Sequence, residues 1–196
     1  DVLPANASTA SHQILSELTE LNDDTAPGIE MNENGVARSI DGQLSDTQVE
    51  NDEDAKEVLR NISELLGVKD TEQDLKFESS SNSSYNTVYT FKQYYKDIEL
   101  TNSYITIIVN NSTGRSDFLN SSFIPDFSMD VNPDVSASNA AQIVMEQYSV
   151  TLSEAPRLVI YSMDNTVHHL AWEVKTDSFS PSMVYLDAKN GEILYA

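Results

Sequence analysis

The order of the hydrophobic patterns restricts the fold of this chain most strongly. A segment with helical spacing is followed by several segments with strand alternation, and this plan occurs twice. The first helix is predicted from near Asp52, where acidic residues favour a helix start, to Gly67, a left-handed stop. Its apolar stripe consists of Ala55, Val58, Leu59, Ile62, Leu65 and Leu66. The second helix is predicted over residues 136–148, where one face is formed by Ala137, Ala140, Ala141, Val144 and Tyr148.

Each helix precedes a predicted meander. Strands are expected over residues 85–95, 103–110 and 115–123 in the first half, and over 157–163, 166–176, 182–188 and 192–196 in the second. Gly114 marks one hairpin turn, and Asn190-Gly191 is a strong signal for another. Because a helix buries its stripe best across one face of a sheet, we predict an α+β, cystatin-like fold with two related subdomains, each a helix packed across an antiparallel meander.

The predicted organisation has three parts. Residues 1–35 form an N-terminal leader with a short helix, on which Ile14, Leu15, Leu18 and Leu21 share a face, and residues 22–35 are expected to form a loop. The following residues, 35–45, predict a short edge strand. Two prolines in 123–134 indicate a boundary, so the two modules are expected over 36–128 and 129–196.

Composition excludes several functions. The 196 residues contain no cysteine, which removes disulfides, thiolate zinc sites and thiol nucleophiles. Acidic residues number 32 against 11 basic ones, and a net charge of -21 repels phosphate backbones and anionic lipid. Nucleic acid and membrane insertion are therefore not expected, whereas solubility or docking to a basic partner both remain consistent with the charge.

Catalytic motifs are not found in the sequence. The three histidines do not form an H-E-x-x-H pattern, and no phosphate loop or nucleophile elbow is present. His168 and His169 are neighbours on a predicted strand, so they point to opposite faces; His169 and Glu173 share a face, but two ligands make a poor metal site. We predict no catalytic residue, no metal and no cofactor, and hence a protein that is not an enzyme.

Two stretches resemble a known family. In residues 89–126, Phe91, Gln93, Tyr95 and Gly114 occupy the places of an aromatic-x-Gln-x-Tyr strand and a polar turn, as in the FTP module of fungalysin and thermolysin propeptides. The usual Gly-Ile/Val-Pro-Val turn is replaced by residues 97–100, Asp-Ile-Glu-Leu.

Residues 156–196 are similar to the PepSY propeptide module. Its usual marks are the Leu170-Ala171-Trp172 run and the Asp187-Ala188-x-x-Gly191 turn. The resemblance therefore describes an FTP-like module followed by a PepSY module, the order found in the propeptide region of secreted thermolysin-type metalloproteases.

The resemblance implies function through binding. Such a propeptide inhibits its protease and assists folding of the catalytic domain, which would be the partner in cis or in trans, and it belongs to a secreted protein. The absence of cysteine favours a bacterial secreted protein or a cytosolic one. The predicted protein-interaction residues lie at the atypical turn and in the last strand: Tyr95, Asp97, Ile98, Glu99 and Tyr195.

Three alternatives stay open. The chain can be a free-standing secreted regulator or protein-binding module without a catalytic domain. It can be a hydrolase that uses paired carboxylates, whose spacing is spatial and cannot be read from sequence. It can also be a structural or adhesion module, which the acidic composition fits equally well.

Overall fold

A computed structural model describes residues 3–163 and 166–196, which fall into two compact units. The first unit is Asp1–Tyr94 with Ser103–Phe127, and the second is Tyr95–Asn102 with Ser128–Ala196. Asp1 and Val2, where the predicted leader begins, lie outside the described residues. The helices are α1 (Thr9–Leu21), α2 (Asp52–Asn61), α3 (Ser63–Leu66), α4 (Thr71–Asp74) and α5 (Ala137–Tyr148). The strands are β1 (Gly28–Met31), β2 (Ala37–Asp41), β3 (Leu75–Asn82), β4 (Asn86–Tyr95), β5 (Ile98–Asn110), β6 (Arg115–Ser121), β7 (Arg157–Ser162), β8 (His168–Lys175), β9 (Met183–Asp187) and β10 (Ile193–Tyr195).

The sheet of the first unit has the strand order β1-β2-β6-β5-β4-β3. Ile40 pairs with Leu119, which pairs in turn with Ile107, so apolar side chains are aligned across three antiparallel strands. This alignment places one apolar face of the sheet beneath the helices. The core formed there joins Phe91 and the isoleucines of β2 and β5 to the apolar stripe of α2 and α3.

Polar side chains define the helix ends of this unit. The side chains of Ser8 and Asn51 accept hydrogen bonds from the first turns of α1 and α2, which satisfies otherwise unpaired N–H groups. Gly67 ends α3 with φ 71°, and a Cβ there would lie 2.7 Å from Val36 and 2.8 Å from Pro125. Both the backbone conformation and the space therefore require glycine at this stop.

Four local predictions are corrected in the first unit. The expected loop over 22–35 contains β1, which pairs with β2. The strand expected at the edge over 35–45 is therefore not an edge strand, because β2 lies between β1 and β6. The single helix expected from Asp52 to Leu66 is divided at Ile62 into α2 and α3. The structure also contains β3, which the sequence pattern did not indicate, because seven of its eight residues are exposed and no alternation is visible.

The sheet of the second unit has the order β5-β7-β8-β9-β10. Strands β7 to β10 form the predicted antiparallel meander, and β5 is added in parallel through the pair Leu100 and Ile160. Helix α5 begins after Ser136, whose side chain accepts from the N–H of Asn139. Its buried residues pack on β8 and β9, in a core of Ala140, Val144, Val174, Val184 and Leu186.

The predicted fold class is confirmed. The chain is α+β, with helices packed against mostly antiparallel sheets. The parallel pairing of β5 with β7 is not predicted, because local sequence patterns contain no signal for it. In the part of the chain that the structure describes, no helix is both long and apolar enough to cross a membrane.

Candidate protein-interaction site

The five predicted interaction residues all belong to the second unit, but the structure places them differently. Tyr195 lies in β10 with 54% of its surface exposed, and Asp97 is exposed in a turn. Tyr95 and Ile98 are half-buried at the strand ends beside that turn. Glu99 is only 5% exposed. Its carboxylate is therefore directed into the fold, while Tyr195 offers the largest apolar surface of the five.

The atypical turn is a two-residue connection between β4 and β5. Lys96 and Asp97 have φ of 49° and 64°, the left-handed region that a type I′ hairpin turn requires at both central positions. Hydrogen bonding to Ser128, assisted by the Lys96 ammonium, lowers the pKa of Tyr95 despite its partial burial. The turn thus keeps the expected hairpin shape without the glycine of the family pattern.

The sheet face opposite α5 carries the most distinctive side chains of the unit. Since Trp172 and Leu186 pack toward the helix, strand alternation directs Arg157, Glu173 and Tyr185 to the other face, where they lie side by side in register. We call this surface the tyrosine face. It is formed by Glu99, Arg157, Val159, Tyr161, His169, Ala171, Glu173, Tyr185, Asp187 and Tyr195.

Aromatic rings cover the middle of the tyrosine face. The rings of Tyr161 and Tyr185 stack with centroids 4.2 Å apart, and the ring of Tyr195 lies 6.4 Å from that of Tyr185. Ala171 lies between the two stacked tyrosines on the intervening strand, and both Ala171 and Val159 are completely buried. A small side chain at position 171 leaves room for the rings to meet, so the alanine of the Leu-Ala-Trp motif has a packing role.

An arginine joins two buried carboxylates beside these rings. Arg157 donates from Nη1 to Glu99 at 2.6 Å, and from Nη2 and Nε to Glu173 at 2.9 and 3.2 Å. The hydroxyl of Tyr185 donates to the second oxygen of Glu173 at 3.0 Å. Both carboxylates are 5% exposed, whereas 49% of the Arg157 side chain faces solvent. We call these four residues the arginine network.

The network perturbs the groups that it connects. Burial opposes the charge of Arg157, but hydrogen bonds and charge attraction from Glu99 and Glu173 outweigh it and raise its pKa. Burial raises the pKa of Tyr185 well above its usual range, and the negative charge of Glu173 raises it further. The phenol therefore stays neutral and can remain a donor, which fixes one edge of the ring stack.

His169 pairs with Asp187 and not with Glu173. Its Nδ1 lies 2.9 Å from Oδ2 of Asp187, whereas Glu173, with which it shares a strand face, is bound by Arg157. The other oxygen of Asp187 accepts from the N–H groups of Lys189 and Asn190 and so shapes the β9–β10 turn. Within residues 3–163 and 166–196, no group of three or more His, Cys, Asp or Glu side chains is placed to hold a metal ion.

The remaining motif residues support the fold from the inside. In the first unit, Gln93 is 2% exposed, donates to the carbonyl of Ile124 at 2.9 Å and accepts from its N–H at 2.9 Å. In the second unit, the indole of Trp172 donates to the carbonyl of Val135 at 2.8 Å and so fixes the segment that leads into α5. These residues position elements and do not present a surface.

Arg157, Tyr161 and Tyr185 were not predicted from the sequence as site residues. One signal for Arg157 is present, because Glu173 stands between the apolar residues Trp172 and Val174, and a buried carboxylate needs a hydrogen-bonded cation. The register that brings Arg157 opposite Glu173 is a property of the strand pairing, and it cannot be read from either strand alone.

The fold and the tyrosine face define a small α+β protein with a helix-covered side and an aromatic, charged side in its second unit. No protein-family model matches the chain, and no curated protein sequence matches it. Among solved structures, it is similar to the C-terminal domain of YpeB from Bacillus megaterium, with a TM-score of 0.47 and 14% sequence identity. That alignment covers 85% of this chain and 73% of the YpeB domain.

Proposed function

We propose that the chain is a non-catalytic, propeptide-like module that binds a secreted thermolysin-type zinc metalloprotease, inhibits it and assists its folding. The sequence carries the marks of an FTP-like and a PepSY module in the family's order. The PepSY marks Ala171, Trp172 and Asp187 each have a structural role in the second unit, which supports assigning that unit to the PepSY type.

The tyrosine face carries this proposal. Tyrosine and arginine are the side chains that protein interfaces favour, because they combine a large apolar surface with hydrogen-bonding groups. Here half of the Arg157 side chain faces solvent and two carboxylates hold it, while the buried ring of Tyr161 supports the ring of Tyr185 from below, so little conformational entropy is lost when a partner binds. Tyr195 extends the face with its exposed ring.

Binding alone can account for both proposed activities. A rigid surface that binds the native catalytic domain, but not its unfolded chain, stabilises the native state by mass action. The same complex inhibits if it covers the substrate cleft. No acid, base or nucleophile of this chain is required for either effect.

The test is complex formation between the purified chain and a panel of thermolysin-like proteases. We expect co-elution in size-exclusion chromatography, loss of peptidase activity and a higher yield of active protease when the chain is present during refolding. Tyr195→Ser should weaken the complex about 10-fold or more, as expected for loss of an interface aromatic. No complex and no inhibition at about 10 μM across the panel would contradict the proposal.

A matched control separates the tyrosine face from general hydrophobic contact. Phe179 is fully exposed and lies in the 177–182 loop of the same unit, outside the face. Phe179→Ser removes an aromatic ring of similar size and should leave the complex unchanged. If both substitutions weaken it equally, the tyrosine face is not the docking surface.

The alternative is a free-standing secreted regulator that binds proteases in trans. The same face and the same binding assay apply to it, so the reading frame beyond Ala196 distinguishes the two. A downstream H-E-x-x-H domain supports the propeptide, and a stop codon directly after Ala196 supports the free-standing regulator.

A further inference from the structure

A groove in the first unit has the features of a second binding site. Its volume is about 490 Å³, within the range of ligand-binding clefts. Three segments form its walls: one side of α1, the end of α2 with Ile62, and the 44–47 loop. The lining residues are Ile14, Glu17, Leu18, Leu21, Leu44, Ser45, Asp46, Thr47, Glu57, Asn61 and Ile62.

The apolar and charged residues of the groove are separated. Leu18, Leu44 and Ile62 are buried beneath it and belong to the core of the first unit. Ile14 and Leu21, which are only partly buried, continue this apolar floor toward solvent. A ligand gains most from this floor when it brings hydrocarbon to it, because burying apolar surface against apolar surface is favourable, whereas a polar group placed there loses its own hydration.

Carboxylates surround the opening. Glu17, Asp46 and Glu57 are exposed and come from three different segments, and the lining contains no lysine or arginine. Glu57 pairs with Arg60 one turn further along α2, outside the lining, and Glu17 accepts from Gln13 at 3.0 Å. The rim therefore attracts cations and repels anionic groups, in the same sense as the net charge of -21.

We propose that this groove binds a polypeptide segment of a partner protein in which large apolar side chains are flanked by lysine or arginine. The apolar floor selects the hydrocarbon, and the carboxylate rim selects the flanking cations. Anionic lipid is disfavoured by the same rim. The site is in the first unit and is independent of the tyrosine face and of the function proposed for that face.

The test uses the intact chain and a fluorescein-labelled synthetic peptide of leucine and lysine at helical spacing. We expect saturable binding by fluorescence anisotropy in the micromolar range, and weaker binding at higher salt. Two further peptides, one with glutamate for lysine and one with serine for leucine, should bind at least about 10-fold more weakly, because each lacks one of the two features that the groove selects.

Two sets of variants assign the binding to the groove. Glu17→Gln with Asp46→Asn should weaken it about 5-fold or more, whereas Glu33→Gln with Asp24→Asn makes the same change of charge outside the lining and should leave it within about 2-fold. Asn61→Trp places a bulky ring in an exposed part of the lining and should abolish binding.

Several results overturn the proposal. Equal weakening by both charge variants would show that the net charge, and not the groove, attracts the peptide. Equal binding of the serine peptide would show that the apolar floor has no role. Absence of saturable binding at about 100 μM, or unchanged binding by Asn61→Trp, would equally exclude the site. Circular dichroism of each variant establishes that it remains folded.

Discussion

Replacing Arg157 by methionine removes the cation that neutralises two buried carboxylates. Methionine keeps most of the aliphatic volume but none of the three hydrogen bonds to Glu99 and Glu173. Breaking a buried ion pair by removing one partner costs about 3–5 kcal/mol. Because half of the Arg157 side chain is exposed, water reaches the site, and we expect a loss of about 2–3 kcal/mol in the free energy of unfolding.

Trp172 makes this loss measurable in the second unit specifically. It is the only tryptophan of the chain, and it lies on β8 next to Glu173. Urea unfolding followed by its fluorescence should show a midpoint about 1–2 M lower for Arg157→Met than for the unchanged chain. The melting temperature should fall by about 5–10 °C.

The matched control is an exposed ion pair in the same unit. Lys175 lies 2.6 Å from Glu154, with 42% and 55% of the two side chains exposed. Lys175→Met should cost no more than about 0.5–1 kcal/mol, the usual value for surface pairs. If Arg157→Met and Lys175→Met shift the urea midpoint equally, the arginine network does not stabilise the unit, and the rigidity that we ascribe to the tyrosine face is refuted.

Three further changes test other parts of the structure. Tyr185→Phe keeps the ring but removes its hydroxyl from the arginine network, at a cost of about 1 kcal/mol in the free energy of unfolding. Because burial raises the pKa of Tyr185, the absorbance titration of the variant should lack the phenol that ionises at the highest pH. In the unchanged chain, the contribution of the Tyr185 hydroxyl to stability should be lost as the pH rises above about 10, the usual tyrosine pKa. The ion pair with Lys189 lowers the pKa of Asp130 to about 2, so the stability that this pair contributes is lost as the pH falls from 3.8 toward 2. Asp130→Asn should remove this acid-dependent loss, and an NMR titration of the carboxylates should no longer show the group that titrates near pH 2. Gln93→Leu leaves both main-chain groups of Ile124 unpaired and should cost about 2–3 kcal/mol in thermal denaturation. A cost near zero for Gln93→Leu, an unshifted last phenol in Tyr185→Phe, or an unchanged acid transition in Asp130→Asn would contradict the respective assignment.

The second unit was largely predictable because its signals are local. The stripe of α5 and the alternation of β7 to β9 repeat with fixed periods, and Asn190-Gly191 specifies a hairpin in the position where β9 and β10 are joined. The pairing of β5 with β7 was not predictable in this way. It joins residues 60 positions apart, and neither strand contains a signal for its partner.

The first unit shows what pattern analysis misses. Strand β3 has almost no buried side chains, so its extended conformation depends on hydrogen bonds to β4 and not on hydrophobic alternation. Strand β1 follows a segment rich in acidic and turn-forming residues and is only four residues long. Helix propensity continues through Ile62, but the chain turns there so that Leu65 and Leu66 reach the core.

The candidate site was predictable only in part, because the ion pair between Glu99 and Arg157 depends on how two strands are paired. The family resemblance indicates the hairpin that contains Glu99, but the sequence does not contain the direction in which that carboxylate points. The structure turns it inward to an arginine from β7, and β7 was identified from its apolar residues alone. Electrostatic partners of this kind depend on register, and a shift of one residue would place Arg157 on the opposite face.

Motif residues and surface residues carry different information about this protein. Gln93 and Trp172, two of the residues that produce the family resemblance, bond to the main chain, and Ala171 lies completely buried beneath stacked rings. Such positions report on the fold, and a free-standing regulator would need them as much as a propeptide does. Tyr195 is the opposite case, since its exposed ring contributes little to folding and can determine which partner binds.

Substituting Trp172 by phenylalanine should therefore lower stability without changing the choice of protease, and Tyr195→Ser should lower affinity without changing the unfolding midpoint. If the two effects are not separable in this way, the tyrosine face is part of the core and the interaction surface lies elsewhere.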